Sequence, residues 1–174
     1  MPRNAGSGWL AHAQTGAWFS AVGVTLKGMP EARFEFDERA FPILVVTCPP
    51  SCSDQEFKAF LERTGALYSR GQKFVQVFDC MQGGAVSARQ RGWQADFNKK
   101  YDAQIREMNL GMAFAMSSAM TRGVLTAILW LSPLPCPHAV RSDVAQAIEW
   151  AQGQLREGGV DAPSHPVYSV SQNP

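Results

Sequence analysis

No run of apolar residues in this 174-residue chain approaches the ~20 needed to cross a bilayer. The best candidate, inside "SSAMTRGVLTAILWL" (residues 117–131), is stopped by Pro133 and Pro135. Charge of one sign is missing too. Sixteen Lys and Arg balance fifteen Asp and Glu, for a formal charge of +1, and only Lys99 and Lys100 are adjacent basic residues. A nucleic-acid binder needs a basic stripe to displace counterions, so no nucleic-acid partner is expected. Histidine is scarce, with only His12, His138 and His165, which leaves a Ser or Cys nucleophile without an evident base. G-x-S-x-G and G-x-G-x-x-G do not occur, and "QGGAVS" is too short for a P-loop and lacks its lysine. Paired carboxylates within one motif are absent: Asp37 and Glu38 fall at a strand end, Asp96 and Asp102 on a solvated helix face. Together these absences predict no catalytic residues, no cofactor and no enzymatic activity.

Cysteine is present four times, as Cys48, Cys52, Cys80 and Cys136. In a chain of this size these do not read as a disulfide framework. Arg3 is followed by Gly, Ser, Ala, His and Gln rather than a continuous apolar segment, so no secretory signal is expected. The chain reads as soluble, reduced and cytoplasmic. Cys48, Cys52 and Cys80 are expected near the ends of the second and third strands, on one sheet edge, with Cys136 and His138 at the other. That separation predicts no metal site, and buried thiols acting as small hydrophobes.

With 45% apolar and 18% charged residues, there is enough material for the core of one domain. Residues 1–28 contain Trp9, Trp18 and Phe19 amid Gly, Ala and Ser without a clean period, and Met29-Pro30 reads as a better beginning than Met1-Pro2. They are expected to be a loosely attached or mistranslated extension, with the domain at 29–160. The proline- and serine-rich segment 161–174 is expected to be a coil tail.

Within the domain the periods are clear. "RFEFDE" (33–38) alternates like a half-exposed strand, and "ILVVTC" (43–48) is a buried one. Ser53 and Glu56 form a capping box for a helix burying Phe57, Phe60, Leu61, Thr64, Leu67 and Tyr68, closed by Gly71. "KFVQVFD" (73–79) is a third strand. Ser87 with Gln90 caps a long helix lined by Trp93, Phe97, Tyr101, Ile105 and Met108. "LGMAFAM" (110–116) is a fourth strand, and His138 to Val140 a fifth. A last helix starts at Ser142-Asp143, buries Val144, Ile148, Ala151 and Leu155, and ends at Gly158-Gly159. The order β-β-α-β-α-β-α-β-α implies an α/β fold with a mostly parallel sheet of four to five strands and an antiparallel N-terminal hairpin strand.

Residues 117–131 then make the helix between the fourth and fifth strands. Ser117 or Ser118 is its N-cap, and Val124, Leu125, Ile128 and Leu129 pack on the sheet. Arg122 falls in the first turn. Two hydroxyls and an arginine at a helix N-terminus make Ser117, Ser118 and Arg122 a candidate anion site, beside the plainer reading of a capped core helix with a solvated Arg.

The central strand "FVQVFDC", the loop into a helix "GGAVSARQRGW", and "MSSAMTRGVLTAILWL" carry a resemblance, over residues 31–158, to the STAS-like family of anti-sigma-factor antagonists and their relatives. The resemblance implies a non-catalytic regulatory or scaffolding module that binds a partner protein through the helix after the third strand. It also implies a serine at that helix's start as phosphoacceptor. Here that residue is Ser87, preceded by Val86 where the family has an aspartate. Asp79, Arg89, Arg91 and Lys99 are the candidate partner contacts, and self-association is open to such a module as well. A second reading is a carrier or sensor of a small apolar ligand or lipid, with Met108, Met112, Met116 and Met120 as adaptable lining. An internal apolar cavity would discriminate between the two.

Overall fold

A computed structural model describes residues 33–163 except Ser132; side chains of Val124, Ala127, Ile128, Trp130 and Leu131 lie outside the description. The expectations for residues 1–28 and most of the tail, and for Val124 and Ile128, therefore lie outside the described residues. Ten elements follow in order. They are β1 (Glu35–Asp37), β2 (Ile43–Thr47), α1 (Asp54–Tyr68), β3 (Phe74–Asp79), α2 (Ala88–Lys100), α3 (Asp102–Met108), β4 (Asn109–Ala115), α4 (Ala119–Leu131), β5 (His138–Arg141) and α5 (Val144–Glu157).

The strands lie in one sheet in the order β1-β2-β3-β4-β5, with β1 antiparallel to β2 and the rest parallel. This is the α/β architecture expected. Because strand order never reverses, right-handed crossovers all pass over the same face. The helices α1, α2 and α3 accordingly share a core with Leu44, Val46, Phe74 and Met112, while α5 covers the other face against Val45, Val75, Val77 and Ala113. α5 sits close because Gly111 has no side chain: a Cβ there would lie 2.6 Å from the Trp150 ring.

The helix starts follow from their caps. Ser53 accepts from the Glu56 amide while the Glu56 carboxylate accepts from the Ser53 amide, and Ser87 and Gln90 repeat the arrangement. Asp143 accepts from the Gln146 amide at the start of α5. Gly71 follows α1 at φ 65°, a left-handed backbone conformation that residues with side chains rarely adopt. The expected long helix after Ser87 is instead two. Tyr101, at φ −103° and ψ 15°, ends α2 and begins α3, and the turn directs Ile105 into the core. Among the described residues no helix is long and apolar enough to cross a membrane.

Candidate functional site

Between the sheet and the crossover helices lies a cavity of about 520 Å³. Its floor is the helix-covered face of the two central strands, with Gln76 and Phe78 from β3 and Met112 and Phe114 from β4. Phe57 and Phe60 of α1 form one wall, and Phe97 and Ile105 of α2 and α3 another. Leu125 of α4 and Leu134 complete an enclosure that is mostly carbon. It reaches solvent where exposed Gly83, Gly84 and Val86 face exposed Ser117 and Ser118, at the carboxyl end of the parallel strands. That is the edge where open α/β sheets place ligands.

Two loops make the mouth, and their backbones touch. The Gly84 amide donates to Pro49 O at 3.2 Å, and a Cβ at Gly84 would lie 1.7 Å from Pro50 O. Only a residue without a side chain fits. Gln90 holds the same loops from below: its Nε2 donates to Asp54 Oδ1 at 3.2 Å and to Cys52 O at 3.4 Å. The cap of α2 is thus also a clasp onto α1.

Within the cavity one polar side chain stands out. Gln76 is fully buried, and neither its Nε2 nor its Oε1 has a hydrogen-bond partner among the described residues. A buried polar group left unsatisfied costs about 1–3 kcal/mol. The other buried amides on this side of the sheet, Gln90 and Asn109, are satisfied. Asn109 donates from Nδ2 to the Tyr68 hydroxyl at 3.3 Å and accepts from the Gly111 amide at 3.1 Å. Thr64, also lining the cavity, donates its hydroxyl to Phe60 O at 2.9 Å.

The thiols gather at the rim, as expected for three of the four. Cys48 and Cys80 follow the ends of β2 and β3, with sulfurs 3.2 Å apart. The hydrogen bond with Cys80, together with burial, holds the Cys48 thiol well above the usual range. Burial, and then the carboxylates of Glu56 and Asp54, raise Cys52 as well. All three are half-buried rather than buried, and only Cys136 sits fully in the core, where burial pushes its thiol up to about 12. Among the described residues no group of three His, Cys, Asp or Glu is placed to hold a metal ion.

The charged residues singled out from sequence are distributed around this site. Ser87 is exposed and its hydroxyl accepts from the Gln90 amide. Arg89 pairs with Asp54 at 3.2 Å, tying α2 to α1. Arg91 lines the cavity and donates to Val86 O at 2.6 Å. Lys99 is exposed at the far end of α2, and Asp79 Oδ1 accepts from the Met81 amide at 3.0 Å. At the start of α4, Ser118 Oγ accepts from the Thr121 amide at 3.3 Å. Arg122 does not project from the first turn. It folds back and donates to Met116 O and Ser117 O, each at 2.7 Å. Of the methionine row, Met112 and Met116 line the cavity, Met108 packs against the core beside it, and Met120 is 79% exposed.

Gln76 and Gly84 were not singled out from sequence. A signal for the first exists: a lone Gln inside "FVQVF" puts an amide where strand alternation calls for an apolar side chain. No protein-family model, curated protein or solved structure matches this chain.

Proposed function

We propose that this chain is a non-catalytic binding module, a carrier or sensor that holds a small, mainly apolar ligand between its central strands and crossover helices. The observation that carries this reading is the cavity of about 520 Å³, a size and carbon-rich lining typical of small-molecule sites. Of the two readings open from sequence, the cavity favours the ligand binder. The regulatory reading joins it at the mouth. The loop that closes the cavity, residues 80–87, leads directly into Ser87 and α2, the helix that the STAS-like resemblance assigns to a partner protein. Occupancy of the cavity would then alter the surface a partner meets.

The test is titration with 1-aminoanthracene, a flat apolar fluorophore. Saturable one-to-one enhancement is expected, and Leu125→Trp, which places an indole in the cavity, should abolish it while leaving the circular dichroism spectrum unchanged. Failure of the native protein to bind would overturn the reading.

A further inference from the structure

We propose that the ligand of this cavity is uncharged and presents a cis-amide-type edge, a C=O beside an N–H or O–H, to the Gln76 carboxamide. This inference rests on the cavity being a ligand site and names the chemistry it selects.

Three observations lead to it. Gln76 lies at the middle of β3, the central strand of the sheet, fully buried, with both amide atoms unpartnered among the described residues. It lines the cavity, and so do its neighbours on the same face, Phe78 and Phe114. Those two rings, paired in register across β3 and β4, stack with centroids 5.1 Å apart and planes within 7°. One carboxamide thus stands next to a pair of parallel, stacked rings in a mostly carbon-lined space, whose lining also includes Thr64, Arg91, Ser117 and Ser118.

A carboxamide offers one acceptor and one donor side by side. Its complement is an edge with donor and acceptor in the same plane. A lactam, imide or pyrimidinone ring has that edge, and so does an un-ionised carboxylic acid. An ionised carboxylate has acceptors only, leaving Oε1 unpaired and facing a negative charge; Arg91, the cation in the lining, is engaged with Val86 O, and beside Gln76 the Phe78 and Phe114 rings oppose transfer of the charge. A purely hydrocarbon ligand would bury the amide without satisfying it. The parallel Phe78 and Phe114 rings favour a flat body adjoining the amide edge.

The probes are four molecules of similar size: 2-quinolinone, its N-methyl derivative, naphthalene and 2-naphthoic acid. Binding is measured calorimetrically to the full chain and to Gln76→Leu, at pH 4.5 and pH 8. Loss of one neutral hydrogen bond reads as roughly a tenfold change in Kd. The native chain should bind 2-quinolinone at least about tenfold tighter than the N-methyl derivative, which lacks the donor. Gln76→Leu should erase that preference and bind naphthalene more tightly than the native chain does. A preference for 2-naphthoic acid at pH 4.5 that vanishes at pH 8 and in Gln76→Leu would assign the same edge to an acid. Equal binding of 2-quinolinone, its N-methyl derivative and naphthalene by both proteins would overturn the role of Gln76 and leave the cavity reading standing. No binding of any of the four would overturn both. Gln76→Leu removes an unsatisfied amide and keeps an apolar volume, so it is expected to fold.

Discussion

The sulfurs of Cys48 and Cys80 stand 3.2 Å apart at the rim of the cavity, one just past the end of β2 and the other just past the end of β3. The strands are in parallel register up to Thr47 and Asp79, so the two residues continue the ladder as neighbours. The Cys48 amide still donates to Asp79 O, at 2.8 Å. A disulfide at about 2.05 Å needs only a small approach of the two sulfurs. With diamide as oxidant, two thiols give up two electrons and two protons and the diazene becomes the hydrazine. Peptide mapping should find Cys48 joined to Cys80 before any pair containing Cys52 or Cys136. The attacking species is the thiolate, and Cys48 is held protonated by the Cys80 hydrogen bond and burial. Cross-linking should therefore be slow at pH 7 and accelerate as pH rises. A Cys52-containing disulfide as the first product would contradict the arrangement.

Gly84 is the residue at which the two mouth loops touch. Gly84→Ala puts a methyl group against Pro50 O, a backbone atom that cannot swing aside. The loops must part, at a cost of about 1–3 kcal/mol, and the Gly84 amide loses its bond to Pro49 O. Urea denaturation should show that loss, and stopped-flow displacement of 1-aminoanthracene should show faster release. An exposed change away from the mouth, Glu107→Gln on α3, should leave both unchanged.

Ser87 is an N-cap before it is anything else. Ser87→Ala removes the hydroxyl that accepts from the Gln90 amide and should lower stability by about 1 kcal/mol. Ser87→Asp retains a cap acceptor and adds a negative charge at a helix N-terminus, so it should be close to neutral. A phosphate on Ser87 would sit at the same favourable pole of α2. Equal destabilisation by Ala and Asp, measured by urea denaturation, would refute the capping role.

Burial pushes both Cys136 and Tyr68 up to about 12, from ordinary values of 9.0 and 10.0. Each group is protonated in both folded and unfolded chains below its ordinary value, so its contribution is complete there. Between that value and about 12 only the unfolded chain releases the proton, and stability falls with rising pH by up to about 1.4 kcal/mol per pH unit for each group. Urea titrations at pH 8, 9.5 and 10.5 should show this decline, and Cys136→Val should make it shallower. A decline of the same slope in that variant would remove Cys136 as a cause.

The caps and faces of the helices were legible because they are local. Ser53 with Glu56, Ser87 with Gln90, and the buried stripe Val144, Ile148, Ala151 and Leu155 each follow from residues within one or a few turns. The break at Tyr101 was not, because Phe97, Tyr101 and Ile105 keep a four-residue step across it. A Cβ on buried Gly65 of α1 would lie 2.7 Å from the Tyr101 hydroxyl oxygen, so the break stands at a close contact between elements far apart in sequence. The cavity was illegible for a related reason: it is space left between side chains from four helices and two strands. Gln76 was readable as an anomaly of alternation, but its burial depends on β3 being the middle strand, which only the sheet order establishes.

The most direct measurement is native mass spectrometry of the protein purified from its own cells, before and after extraction with organic solvent. A ligand binder should carry a discrete additional mass, lost on extraction, and the extracted chain should then bind 1-aminoanthracene one-to-one. The bare chain alone before extraction, together with no binding of the fluorophore, would contradict the account.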